Sequence, residues 1–192
     1  MANARATELY EKFKAKLEAV SGECYRVKTE EEAGKLIGKV LEQKDVKNVA
    51  LLEGEISGKG NFSQQLKSFD IEVTCDHFRE VTPDAHAGIT QVSYAIAELG
   101  TLVQADEDAN VDQRLCSTLV PIHVAVIRTS ALIPSLAETM STIHQLPQIP
   151  GFVGFITGPS RTSDIERVLT IGVHGAKQLI VVFVDEQGEE VA

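Results

Sequence analysis

Three short apolar runs dominate the last third of the chain: PIHVAVI (Pro121 to Ile127), GFVGFIT (Gly151 to Thr157) and QLIVVFV (Gln178 to Val184). Each has the length and β-branched content of a single buried strand. The segments between them carry helix signals. Ser130 precedes ALIPSLAETMSTIHQL, with Pro134 tolerated in a first turn. Ser163 and Glu166 form a capping box for DIERVLTIGVH, and Gly175 suits that helix's C-terminal end. Strand, helix, strand, helix, strand requires crossover connections, and crossovers join parallel strands. The expected fold class is α/β with a mainly parallel sheet.

The earlier chain supports this reading. Leu9, Phe13, Leu17 and Val20 recur at helical spacing, so residues Asn3 to Ala19 form an amphipathic helix. Thr29 and Glu32 make a capping box for a second helix over TEEEAGKLIGKVLEQ. NVALLE reads as a buried strand, followed by a loop holding Gly54, Gly58 and Gly60, a short helix over NFSQQLKSF and a strand over IEVTC. The middle section, PDAHAGITQVSYAIAELGTLVQADED, reads as two short strand segments turning near Gly100.

Composition narrows the function. The chain has 192 residues, a length suited to one domain, with 43% hydrophobic residues for a core. It has no Trp and only 5% aromatics, so that core is aliphatic. A net charge of −10 argues against nucleic acid or an anionic membrane as the main partner. No apolar run approaches the roughly 20 residues of a membrane span. The N-terminus lacks the apolar centre of a signal peptide, so the expected location is cytoplasmic. Cys24, Cys75 and Cys116 are odd in number and widely spaced. They form no cluster-binding motif, and no metal site is expected on this chain.

The segment GPSRTSD, Gly158 to Asp164, lies between an expected strand end and an expected helix start. Unpaired N–H groups and a partial positive charge gather there. Gly158 allows close approach of a ligand. Ser160, Thr162 and Ser163 add hydroxyls, and Arg161 adds a planar cation for a carboxylate or phosphate. Asp164 favours the helix dipole and repels an anion placed too near it. The alternative is structural: a turn shaped by Pro159, a cap at Ser163 and an Arg161 paired with an acidic neighbour. The segment is neither a Walker loop nor a dinucleotide fingerprint.

Other candidates also have two readings. Glu98, at a strand-turn junction with Gly100 and Thr101, suits a base or nucleophile, or a satisfied polar residue at a turn. His174 suits a ligand contact or a helix C-terminus. Arg114 stands close before PIHVAVI. His123, mid-strand between apolar residues, reads as a satisfied core histidine. The run ADEDANVD reads as a solvated loop, and His77 and His86 match no metal-ligand spacing.

The segment GPSRTSDIERVLTIGVHGAKQLIVVFVDE closely resembles the C-terminal signature of the lactate utilization protein C family, the LUD domain. GITQVSYAIAELGTLVQ and RLCSTLVPIHVAVI resemble the family's central block in the same order, and that block places an Arg where Arg114 stands. Two positions depart from the pattern. Leu99 follows Glu98 where the family commonly has Thr, and Ala176 follows VHG where it commonly has Pro.

The resemblance implies a Rossmann-like layered fold with helices on both faces, of the type shared by ribose-5-phosphate isomerase, glucosamine-phosphate deaminase and the CoA-transferases. It implies a single LUD domain over 1–192, with N-terminal helices over 1–45 packed on an α/β core over 46–192. The family's best-known members act with two iron–sulfur partner proteins that oxidise L-lactate to pyruvate, and the clusters belong to those partners. The implied function is a non-redox subunit of such a system, with no cofactor of its own. It would bind a small anion at Gly158, Ser160, Arg161, Thr162 and Asp164, with Gly100, Thr101, Arg114 and His174 nearby. The fold relatives offer a rival: a stand-alone enzyme on a phosphosugar or CoA-thioester with Glu98 catalytic. An anion sensor and a homo-oligomer stay open.

Overall fold

The computed structural model describes residues 2–106, 111–162, 170–171 and 174–186. Helix α1 spans Ala2–Ala19 and leads into strand β1 (Glu23–Val27). Helix α2 (Glu30–Gln43) follows, capped by Thr29, whose hydroxyl accepts from the Glu32 N–H at 3.1 Å. The Glu32 carboxylate reaches one residue further back than a standard capping box, accepting from Lys28 N–H at 2.9 Å. Next come β2 (Asn48–Leu51), α3 (Glu55–Lys59), α4 (Phe62–Lys67), β3 (Glu72–Thr74), α5 (Phe78–Val81), β4 (Ala87–Gln91), β5 (Tyr94–Ile96) and β6 (Thr101–Asp106). The remainder is α6 (Val111–Thr118), β7 (Ile122–Arg128), β8 (Leu132–Ile133), α7 (Leu136–His144), β9 (Phe152–Ile156), β10 (Arg161–Thr162), β11 (Thr170–Ile171) and β12 (Gln178–Val184).

Among the described residues the main sheet has six strands in the order β1-β12-β7-β4-β2-β3, and every pairing in it is parallel. Alternation along β7 explains its two covers. Val124 and Val126 point to one face, where Ala33, Ile37 and Leu41 of α2 bury them. Ala125 and Ile127 point to the other, where Tyr10, Phe13 and Leu17 of α1 do the same. The Tyr10 and Phe13 rings meet Phe183 edge-on, with centroids 5.5 and 5.1 Å away. A fully buried side chain of this kind contributes roughly 1.5–3 kcal/mol relative to exposure. No helix among the described residues is long and apolar enough to cross a membrane.

A second sheet, β8-β5-β6-β9, lies beside the first. β5 and β6 are antiparallel about the Gly100 turn, as the sequence suggests, and β9 pairs antiparallel with β6. This corrects the reading of GFVGFIT as a buried strand of the parallel sheet. β9 is only half-buried, with Phe155 47% exposed. Val153 packs with Ile96, Val103 and Ile143, so one face needs cover from the chain and the other does not.

Several local expectations also change. Ser130 does not cap α7; Ser135 does, accepting from Glu138 N–H at 3.3 Å. Pro134 pushes Ile133 into extended backbone, which becomes β8 and delays the helix. The loop over Gly54, Gly58 and Gly60 contains α3, started by the Ser57 hydroxyl accepting from Gly54 N–H at 2.8 Å. The end of the acidic run ADEDANVD enters α6. The N-terminal 45 residues also hold β1, an edge strand of the main sheet, and so are more than helices packed on a core. Of the helix expected over DIERVLTIGVH, Thr170 and Ile171 form a strand pairing with Thr162 and Arg161; Ser163, Asp164 and Glu166 lie outside the described residues.

Candidate functional site

A cleft of about 360 Å³ opens where β9 ends against the start of β7 and β12. Thr157, Gly158, Ser160, Arg161, His174 and Gly175 line it, with His123 and Leu179 from the main sheet and Ser117 and Thr118 from α6. A contiguous recess of about 440 Å³ shares Thr118, His174 and Gly175 and adds Lys177. The cleft therefore borders the amino ends of the parallel strands. Ligands of open α/β sheets usually sit at the carboxyl ends. That expectation fails here because β9 belongs to the other sheet. The carboxyl edge instead holds paired charges: Arg26 with Asp185 at 2.8 Å, and Arg128 with Glu30 at 2.8 Å and Glu55 at 3.2 Å.

Much of the GPSR segment is held by Val20 and Ser21, directly after α1. Gly158 has φ +73°, and a Cβ there would lie 2.7 Å from Val20 Cγ2. The Arg161 guanidinium donates to the Val20 carbonyl and, at 3.1 Å, to Ser21 Oγ. A cation on the last carbonyls of a helix is favourable. Arg161 thus meets a helix end where an acidic neighbour was the structural alternative. Ser160 N–H donates to the Ala176 carbonyl at 2.8 Å, which seats the segment beside Gly175. Thr162 continues into β10, and Asp164 lies outside the described residues.

Glu98 accepts from Leu136 N–H at 2.8 Å and so caps the start of α7. Gly100 has φ +65°, and a Cβ there would lie 2.6 Å from Leu17 N. Thr101 Oγ1 lies 2.8 Å from Thr157 Oγ1, which ties the Glu98 turn to the cleft loop. Arg114 stands on α6 with its guanidinium 4.7 Å from the Phe152 ring centroid, and it is not among the residues lining the cleft. His174 is exposed at the junction of cleft and recess.

The family described as the LUD domain matches residues 10–184. The chain belongs to the LUD domain family. It is 28% identical over 183 residues to lactate utilization protein C of Halalkalibacterium halodurans, covering 88% of this chain and 78% of that protein. It is 36% identical over 112 residues to the protein of that name from an Exiguobacterium species, covering 56% and 48%. A Geobacillus relative of that name is 34% identical over 107 residues, covering 54% and 44%. The chain thus spans about half the length of several relatives it matches. A DUF162 family protein of known structure from Deinococcus radiodurans shares the fold, with a TM-score of 0.62 at 19% identity, over 93% of this chain and 98% of that one.

This LUD domain brings His123 to the cleft and Lys177 to the recess; sequence reasoning missed both, as it missed Thr157 in the cleft. His123 is 1% exposed, and its Nε2 lies 2.9 Å from Thr90 Oγ1. Its Nδ1 has no hydrogen-bond partner among the described residues, although buried polar atoms are nearly always paired. The ring is therefore only half satisfied, against the expectation of a satisfied core histidine. Burial depresses its pKa to about 4, so the ring is neutral near pH 7. Lys177 is exposed in the recess, just before the last strand, and forms no ion pair among the described residues. The available signals were an imidazole set among aliphatic strand residues and a lone cation directly before QLIVVFV.

Proposed function

We propose that the chain is a non-redox component of a lactate utilization system and binds a small anion in the cleft beside the Gly158 to Arg161 segment. Membership of the LUD domain family, with relatives named lactate utilization protein C, supports the coarse role. The observation that carries the finer reading is the convergence of Thr157, Ser160, Arg161 and His174 on one cleft, with Lys177 in the adjoining recess. Cations and hydroxyls gathered in a chain of net charge −10 favour a negatively charged ligand there. The iron–sulfur chemistry belongs to partner proteins in this reading, and the chain carries no cofactor.

Affinity purification of the tagged protein from its own host tests the assignment. Cysteine-rich partners and a brown, iron–sulfur absorption spectrum are expected in the eluate. A clean deletion is expected to lose growth on lactate. A colourless protein eluting alone, with normal growth of the deletion strain, overturns the reading.

A further inference from the structure

We infer that β9 is the interface of a homodimer: its outer edge pairs antiparallel with the same strand of a second copy, about a two-fold axis at Gly154.

The argument begins with the second sheet. β9 is its terminal strand, and β6 is the one strand paired with it among the described residues. An uncovered edge presents a row of N–H and C=O groups on which another strand can form. Natural proteins guard such an edge with charge or keep it very short. β8, the opposite edge, has only two residues. β9 has five, Phe152–Ile156, and none is charged. Pro150 and Pro159 stand outside the strand, so their missing N–H groups do not interrupt it.

The surface beside the edge has the same character. From Thr139 to Ser160 the chain holds no Asp, Glu, Lys or Arg, in a protein with 24% charged residues. Six large hydrophobic side chains stand exposed among the described residues. Four of them, Leu136, Met140, Ile149 and Phe155, lie on α7, the connection after it and β9. Ile149 is 70% exposed, the most of the six. Apolar surface gathered in one region marks an interaction site.

Charge selects a second copy as the occupant. Two chains of net charge −10 repel each other, and the repulsion is weakest where both present no charge. A basic partner finds no carboxylate to pair with between Thr139 and Ser160. The strand is also its own complement. With Gly154 opposite Gly154 of the partner subunit, all five residues pair and each meets a residue of its own face. Val153 then opposes the partner subunit's Phe155, and Phe152 opposes the partner subunit's Ile156. Aromatic and β-branched residues make favourable cross-strand pairs. Val153 is only half-buried by its own cluster with Ile96, Val103 and Ile143, and an opposing Phe155 completes its cover. Phe155, Ile156 and Thr157 also line the cleft, so the second copy borders it.

Sedimentation equilibrium of the purified chain tests the inference. A mass twice the monomer's 20.8 kDa is expected. Added salt should tighten the dimer, because it screens the repulsion between acidic copies and leaves the apolar contact. Phe155→Lys and Ile149→Lys should each weaken it by about a hundredfold or more, since symmetry brings each new charge into the interface twice. Ile149 is the most exposed of the six, so its variant reads the surface even where Phe155→Lys disturbs the fold. Glu72→Lys, on the edge strand β3 of the main sheet, should leave the dimer intact. Val153→Cys combined with Phe155→Cys, in a Cys75→Ser background, should yield a disulfide-linked dimer on oxidation. A monomer at micromolar concentration overturns the inference. So does a dimer whose affinity survives Ile149→Lys and Phe155→Lys, or one that the paired cysteines fail to link. Growth on lactate and anion binding are read separately, so the proposed function succeeds or fails on its own.

Discussion

Thr101 Oγ1 and Thr157 Oγ1 stand 2.8 Å apart, one hydroxyl donating to the other. Leu102 pairs with Ile156, so this contact extends the β6 and β9 ladder by one step. The two ends are unequal, because Thr101 is 3% exposed and Thr157 is open to water. Thr157→Val strands a buried hydroxyl and should cost about 1–2 kcal/mol. Thr101→Val leaves an exposed hydroxyl that water can satisfy, and should be nearly neutral. Urea denaturation of both variants checks the asymmetry; equal losses would refute it.

Gly100 presses against the last turn of α1 and Gly158 against Val20 just after it, both with positive φ. Gly100→Ala combines left-handed strain with a Cβ 2.6 Å from the Leu17 backbone nitrogen, and should cost about 2–4 kcal/mol. Gly58 in α3 is the control, since a Cβ there meets nothing within 4 Å. Gly58→Ala should be neutral or add up to about 1 kcal/mol. Thermal melts of the two variants should shift in opposite directions or differ by several degrees.

Glu98 acts on α7 through a hydrogen bond that an amide oxygen can also accept. Glu98→Gln should therefore keep both stability and lactate-dependent growth. Glu98→Ala should lose about 0.5–1 kcal/mol, the scale of a lost helix cap. Loss of growth in Glu98→Gln, with the fold intact, would instead support a base or nucleophile at this position.

His123 makes stability depend on pH. Burial alone drives its pKa from 6.5 down to about 4. Between those values the unfolded chain binds the proton and the folded chain does not, so stability falls as pH drops from about 6.5 to about 4. Below that range both states are protonated and the loss levels off. The loss reaches about 3 kcal/mol for a shift of this size. Subtracting the profile of His123→Asn from that of the wild type isolates the contribution. A flat difference between pH 7 and pH 4.5 would show that the ring is not held neutral by burial.

The apolar strand runs and the capped helices were readable because their signals are local. Thr29 caps α2, and QLIVVFV is β12, as spacing and side-chain type predict. Signals failed where two structures share one local pattern. Pro134 is compatible with a first turn or with the extended residue before a cap, and the backbone around Ile133 took the second course. The short, half-polar ECYRV has no clear period, so β1 emerges only from its pairing with β12. In the candidate site, Ser160, Arg161 and His174 were named from one stretch of chain, whereas Thr157 joins them only through the pairing of β9 with β6. The contribution of His123 needs a sheet to carry it there.

By itself the sequence determined the α/β class, the mainly parallel sheet and the family, because alternation, caps and motifs are properties of neighbouring residues. Tertiary structure alone decided that β9 joins β6 and that Arg161 and Gly158 grip the chain just after α1. It also decided that His123 reaches the cleft with one nitrogen unpaired. Those outcomes depend on which distant surfaces bury one another and on which polar atoms remain without a partner afterward. Neither quantity exists until the chain has packed.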